Sequence, residues 1–463
     1  MAAGAPLTFL PPRLDARVLG ASRLVLPLWL RRQSRIGSVE LHDPERLVEA
    51  LARFQAGDSR LLLAFRHPSL DDAAALAHLL WNLAPREGRA LGVSLPRRPH
   101  AQFLYDRGIP LWAGDATAWL LSRLGGISIQ RGTLDLPALR TARGLLLDGP
   151  HPLAVAPEGA TNGHNEVMSA LEPGTAQLAF WTAEALERDG RPEAMEILPV
   201  GLQYSFERPV WGSIEALLSQ LEREAGVEAD PGPAPGRDGL YGRLVRLGER
   251  MLTQLEDFYR TAYRCPLPPP TPLPPGEAAN AALAERMGRL LDAALRVVEE
   301  GFGLEPRGAL GERCRRLEQA SWDRLYPGGN GGGAGGEPEA CPLQRGLADR
   351  LAEETERRMW HMRLVEGFEA VSGSYVRQSP SQERFADTLL LLWDTLCRIR
   401  AGNPGRRPRL GRRRLRIPIG APLPVRERLD AYRRDRRRAV AALTGDLQAA
   451  LQALIVPEPG TAR

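Results

Sequence analysis

The 463-residue chain contains no lysine, and all 61 of its basic residues are arginine. Chemistry that needs a lysine amine, whether a Schiff base or the phosphate-gripping lysine of a P-loop, is excluded. Cysteine is scarce as well. Cys265, Cys314, Cys341 and Cys397 stand far apart with no C-x-x-C pair, so neither a zinc site nor a disulfide framework is expected and a reducing compartment fits. No apolar run reaches the roughly 20 residues that cross a bilayer. The stretch Val18 to Leu30 is interrupted by Arg23 and Pro27, and it lacks the basic start and small-residue cleavage site of a secretory signal. Also missing are the G-x-S-x-G nucleophile elbow and the H-E-x-x-H zinc motif.

What is present is the composition of a globular protein, 43% hydrophobic and 25% charged, in a chain longer than one ordinary domain. The net charge of +5 is unevenly spread. Between Arg406 and Arg438, 14 arginines face three acids (Glu427, Asp430, Asp435), which leaves the rest of the chain net acidic. Such a segment suits an anionic membrane surface. Nucleic acid is not expected as a partner, because few aromatics interleave with the arginines. The segment Val18 to Arg32 suits either a buried amphipathic helix or one lying in a lipid interface.

Short apolar runs alternate with helical patterns in the first half: Leu61 to Phe65, Ala90 to Leu95, Ile109 to Trp112, Leu153 to Ala156 and Ile197 to Leu202. This alternation predicts an α/β fold with a mostly parallel, buried sheet flanked by helices. After about residue 205 helical periodicity takes over, with Leu240, Leu244, Leu247, Met251 and Leu255 on one face. Further helices are expected at Glu277 to Gly301, Leu343 to Phe368 and Ser381 to Arg400. Two breaks interrupt them, PPPTPLPP at Pro268 to Pro275 and GGNGGGAGG at Gly328 to Gly336. LRIPIGAPLPV, Leu415 to Val425, then predicts one more strand, followed by a helix with Val440, Leu443, Leu447, Leu451 and Leu454 on one face. The expected organisation is an N-terminal helical or interfacial segment (1–44), an α/β core (45–205), a long helical insertion (206–410) and a closing strand and helix of the core (411–456).

The chemistry-bearing residues begin at FRHPSLDD, Phe65 to Asp72, where an apolar strand ends and His67 is followed after four residues by Asp72. A histidine ordinarily titrates near about 6.5, so it accepts a proton from an alcohol at neutral pH when a carboxylate fixes its tautomer and stabilises the imidazolium. Positions five apart do not stack on a helix. His67 must therefore precede the helix, with Pro68 as a turn and Ser69 as an N-cap. Asp71 is the rival carboxylate, its alternative being a first-turn acid that stabilises the helix. Three further blocks fall at expected strand ends: GGISIQRG (Gly125 to Gly132), APEGATN (Ala156 to Asn162) and ILPVGLQY (Ile197 to Tyr204). Ligand sites of parallel sheets form at such ends. Ser69, and His164 in NGHNE, are candidate pocket residues, whereas His78, His100 and His151 have no supporting pattern and are expected to be structural.

The order and spacing of these four blocks resemble the phospholipid/glycerol acyltransferase superfamily, which includes bacterial lysophosphatidate and glycerol-3-phosphate acyltransferases. IPIGAPLPV looks like that family's last strand. The resemblance covers about 160 residues from Glu45 to Tyr204 and about 40 from Leu415 onward. It implies a glycerolipid acyltransferase-like fold and a cytoplasmic, peripherally membrane-associated enzyme. Its acyl thioester donor would be acyl-coenzyme A or acyl-carrier protein, and its acceptor a lyso-glycerolipid, foremost 1-acylglycerol-3-phosphate. No cofactor or metal is implied.

At matching positions the resemblance makes His67 the general base, Asp72 its partner, Arg131 a ligand of the acceptor's phosphate, and Glu158 and Gly159 part of the acceptor site. The chain departs from the family at Arg66, where Asn is usual, at Ser128, where an aromatic is usual, and at Ala160 and Thr161, where the third block commonly continues T-R. An unphosphorylated acceptor therefore stays open. So do a hydrolase that uses His67 and Asp72 on water, and a lipid-surface binding protein with a decayed site.

Overall fold

The computed structural model describes residues 9–130, 134–228, 237–274, 278–325, 341–368, 375–400, 402 and 407–456. Contacts divide the chain into an α/β unit, Phe9–Glu207 with Arg412–Pro457, and a helical unit, Arg208–Gly411.

The α/β unit begins with α1 (Ala16–Arg32), β1 (Ile36–His42), α2 (Pro44–Ala56) and β2 (Ser59–Phe65). Then come α3 (Asp72–His78), α4 (Ala84–Ala90), β3 (Gln102–Asp106), α5 (Ile109–Ala113), α6 (Asp115–Arg123) and β4 (Gly126–Ile129). After α7 (Leu136–Asp148), β5 (Leu153–Val155), α8 (Gly174–Arg188), β6 (Ala194–Val200) and β7 (Gln203–Phe206), the chain enters the helical unit. That unit holds α9 (Trp211–Ala225), α10 (Arg237–Ala262), α11 (Ala278–Phe302) and α12 (Leu310–Leu325), then α13 (Pro342–Phe368), α14 (Tyr375–Gln378) and α15 (Gln382–Ile399). The chain returns with β8 (Arg413–Pro418), β9 (Leu423–Pro424), α16 (Leu429–Arg434) and α17 (Arg436–Ala453).

The larger sheet has the order β4-β3-β5-β2-β6-β9, parallel throughout except for the β6–β9 pair. A second sheet, β1-β8-β7, joins β1 parallel and β7 antiparallel to β8. Central β2 is buried at every position. Leu61, Leu63 and Phe65 enter one core cluster and Leu62 and Ala64 the other, so the two-residue alternation of a strand fills both faces of the sheet. Each such leucine contributes about 2 kcal/mol relative to exposure. On the second face α7, α8 and α17 pack, with Val440, Leu443, Leu447 and Leu451 of α17 buried as their spacing predicts.

Several expected elements differ. Ala90 to Leu95 is no strand: α4 ends there, Gly92 takes φ +69°, and Val93 N–H bonds back to Gly88 O, so the apolar run closes a helix. Ile109 to Trp112 is also helical, with Pro110 in the first turn, where a missing N–H costs nothing. The strand in this region is QFLYD, Gln102–Asp106, paired on both sides. Leu415 to Val425 is two strands in two sheets, β8 and β9. α1 buries Leu19, Leu26 and Leu30, while Leu24, at 83% exposed, and Val25, Leu28 and Trp29 face out.

In the helical unit α10 to α13 enclose a core that includes Leu290, Leu291, Leu295, Val298, Leu317, Met362 and Val365. Leu244, Leu247 and Met251 are buried along α10. Two arginines sit inside with their carboxylates, Arg286 on Glu256 (2.7 Å) and Arg313 on Glu299 (2.8 Å). Pro268 to Pro274 is non-regular chain, and the Gly-rich segment 328–336 lies outside the described residues. Among the described residues, no helix is long and apolar enough to cross a membrane.

Candidate active site

β2 runs out at the carboxyl edge of the sheet. Arg66 N–H still bonds to Val200 O of β6 (3.1 Å), and His67 is the next residue. Pro68 and Ser69 turn the chain, and α3 starts at Asp72 rather than after Ser69. The N-cap position is Asp71, whose side chain makes no cap bond, while the Ser69 hydroxyl accepts from Asp71 N–H (3.2 Å). The reason is that the Asp72 carboxylate takes the donors of the turn for itself. Its Oδ2 accepts from Ser69 N–H (2.7 Å) and lies 3.0 Å from His67 Nδ1, and its Oδ1 accepts from the Tyr204 hydroxyl (2.5 Å).

Asp72 is fully buried and the His67 side chain is 24% exposed. Burial pushes the Asp72 carboxyl above its usual range, and the donors from His67, Tyr204 and Ser69 oppose that push by favouring the ionised form. Burial, and then the Asp72 charge, hold the Tyr204 phenol well above its ordinary range, so Tyr204 keeps its proton and donates. A carboxylate at Nδ1 selects the tautomer with the proton on that nitrogen. The Nε2 lone pair of His67 is then the one able to accept a proton.

Asp71 is used differently. It accepts from the Ser34 hydroxyl (2.7 Å) and from the Arg413 guanidinium, which also donates to Ser34 O (2.7 Å) and lies 4.8 Å from the centroid of the Tyr204 ring. Of the two candidate acids, only Asp72 bonds to His67.

The third block folds against the same turn. Glu158 is buried beyond β5. Its Oε1 accepts from His67 N–H (2.9 Å), and its Oε2 accepts from Asn162 Nδ2 and Ser169 N–H (3.0 Å each), so it ties the His67 turn to the 158–169 loop. Gly159 takes φ +74°, and a Cβ there would come within 2.5 Å of Glu172 Oε1. That fits a glycine-only position. Arg66 clamps the loop from the other side, donating to the carbonyls of Asn165 (2.7 Å), Val167 (2.9 Å) and His164 (3.4 Å). His164 is enclosed by that loop and buried, not presented at an open surface.

Arg131 lies outside the described residues. The strand before it, β4, carries a buried Ser128, whose hydroxyl bonds to both backbone groups of Leu10 (2.8 and 3.2 Å). This serine anchors the segment before α1. His100 is buried between Trp81 Nε1–H and Leu124 O (3.1 Å each), a structural position. Sequence reasoning singled out His67 and Asp72 but missed Tyr204, Arg413, Ser34 and Asn165 as partners of the turn. Only ILPVGLQY, which ends on Tyr204, carried a signal for any of them. Among the described residues, no group of three or more His, Cys, Asp or Glu is placed to hold a metal ion.

No protein-family model, no curated protein and no solved structure matches this chain.

Proposed function

We propose that the chain is a glycerolipid O-acyltransferase with an acyltransferase-like α/β core, moving a fatty acyl group from an acyl thioester to the hydroxyl of a lyso-glycerolipid. The observation that carries this is the His67 Nδ1 to Asp72 Oδ2 contact of 3.0 Å at the carboxyl edge of a parallel sheet, with Asp72 sealed from water. His67 Nε2 takes the proton of the acceptor hydroxyl as its oxygen attacks the thioester carbonyl. The tetrahedral intermediate then expels the thiolate, which takes that proton back from His67, leaving ester and thiol. Backbone N–H groups near the turn would stabilise the oxyanion. The donor is acyl-coenzyme A or acyl-carrier protein, and 1-acylglycerol-3-phosphate is the first acceptor to test.

A lipid surface as partner is supported by the outer face of α1. Leu24, Val25, Leu28 and Trp29 are exposed there beside Arg31 and Arg32, and the helix contains no acid. Leu70, between His67 and Asp72, is 66% exposed. A second reading, an acceptor without phosphate, is favoured by one feature. Arg66, the basic residue of the turn, is spent on backbone carbonyls, and Ala160 and Thr161 supply no replacement.

Lipid mass spectrometry after incubation with both donors and a panel of phosphorylated and unphosphorylated lyso-acceptors tests the assignment. No transfer from either donor to any acceptor would overturn it. Arg131→Ala should raise the KM of a phosphorylated acceptor more than that of the thioester, since it removes a charge-assisted contact to one substrate. Equal effects would make Arg131 structural.

A further inference from the structure

Three residues in or beside the small sheet reach the two aspartates of the catalytic turn. Tyr204 of β7 donates to Asp72, while Arg413 of β8 and Ser34, two residues before β1, hold Asp71. Tyr204 is itself fixed, with its N–H on Asn165 Oδ1 (2.9 Å) and its ring under the Arg413 guanidinium. We propose that Tyr204 and Arg413 are positioning residues for the His67–Asp72 pair, Tyr204 setting the plane and charge of the Asp72 carboxylate and Arg413 holding Tyr204 while it draws Asp71 away. This rests on the proposed role of His67 as general base.

The torsion that turns a carboxyl group about its own axis is soft and roughly two-fold, so a buried carboxylate keeps one orientation only if its oxygens have different fixed donors. Here Oδ2 faces Ser69 and His67 and Oδ1 faces Tyr204. Without the phenol, Oδ1 loses its donor inside the protein and the carboxylate is free to turn, and the imidazole bonded to it turns with it. The phenol also takes a share of the Asp72 charge. Its loss leaves more of that charge to stabilise the imidazolium, which moves the His67 titration upward. Arg413 acts on the same balance, because it neutralises Asp71, the residue next to Asp72. Two more charged groups beside the His67 turn are Glu158, from the loop after β5, which accepts from His67 N–H and Ser169 N–H, and Arg66, at the end of β2, which donates to carbonyls of the 158–169 loop.

The test is an NMR titration of the His67 imidazole, with its resonance assigned by His67→Gln, in the full-length wild type, Tyr204→Phe and Arg413→Met. Tyr204→Phe should raise the His67 midpoint, since one donor to its counter-ion is removed. It should also lower kcat roughly tenfold at near-constant KM, a fraction of what general-base assistance supplies. The acid limb of the kcat/KM profile should move with the midpoint. Arg413→Met, which keeps the aliphatic stem over the ring, should shift the midpoint in the same direction, and it carries the test if Tyr204→Phe does not fold. An unchanged His67 midpoint in the folded variants overturns the proposal even where thermal stability falls, because a merely structural role has that outcome. A wild type without acyl transfer would sink the proposed function instead, and the titration would still decide the coupling.

Discussion

At His67 and its two neighbouring acids the structure makes a graded expectation. His67→Ala should cost roughly 10² to 10⁴ in turnover, the usual worth of general-base assistance, with the protein still folded. Asp72→Asn should be nearly as severe, because an amide cannot stabilise the imidazolium. Asp71→Asn should cost much less, since that side chain meets Ser34 and Arg413 and not His67. Steady-state kinetics on the three variants checks the order, and an Asp71 variant worse than the Asp72 variant would reverse the assignment. His100 predicts a pH dependence of stability. Trp81 Nε1–H points at its Nδ1, so the ring is held neutral, and burial, with His151 beside it, pushes its pKa down from 6.5 to about 3. The unfolded chain therefore takes up this proton first. Stability from neutral His100 is complete above pH 6.5 and is lost as pH falls toward about 3, at about 1.4 kcal/mol per unit for one proton. Urea melts at pH 6.5 and 5 should differ by about 2 kcal/mol from this group. In His100→Gln that part of the slope should vanish, and an unaltered slope would remove His100 as its source.

Among the elements, α1 and the arginine-rich segment are two candidates for the proposed lipid contact, and they differ in chemistry. Among the described residues, seven arginines of the 406–438 run, Arg407, Arg412, Arg413, Arg414, Arg428, Arg433 and Arg436, have a carboxylate of this chain within 4 Å. These seven, half of the run's 14 arginines, are thus paired within the chain. α1 instead presents exposed leucine, valine and tryptophan with arginines in its last turn. Flotation with anionic vesicles should therefore respond more to Leu24→Ser with Trp29→Ser than to charge removal at Arg434, Arg437 and Arg438. Salt should weaken binding only in part, since screening at 0.1 M shortens the reach of exposed charges to about 10 Å but leaves apolar burial. Binding abolished by the arginine changes and indifferent to the α1 changes would place docking on the basic segment.

For the whole molecule, the consequential fact is where the helical unit is spliced in. β7 and β8 are antiparallel neighbours, Phe206 pairs with Arg413, and Glu207 N–H bonds to Arg412 O (3.0 Å). The two ends of the 208–411 segment are thus as close as those of a hairpin loop. Replacing 208–411 by a short Gly-Asn loop should leave the α/β unit folded, whereas ending the chain at 410 should not, since β8, β9 and α17 complete both sheets and one core face. Circular dichroism melts and amide NMR spectra compare the two. A cooperative fold after truncation, or none after loop replacement, would contradict this. Deleting only Pro268 to Gly336 would remove α11 and α12 from a packed core, so the two sequence breaks are not safe places to cut.

The sequence by itself determined the elements whose signal is local: the buried run of β2, the apolar stripes of α10 and α17, and a histidine at a strand end with a carboxylate five residues on. Each depends on residues within a few turns of one another, where spacing fixes geometry. Where it misled, at Ala90 to Leu95 and Ile109 to Trp112, short apolar runs satisfied strand and helix alike, and Gly92 and Pro110 tipped the backbone toward helix. Only the tertiary structure decided what holds the two aspartates in their separate places. Tyr204, 132 residues from Asp72, and Arg413, 342 residues from Asp71, reach the turn through strand pairing that leaves no trace in local spacing.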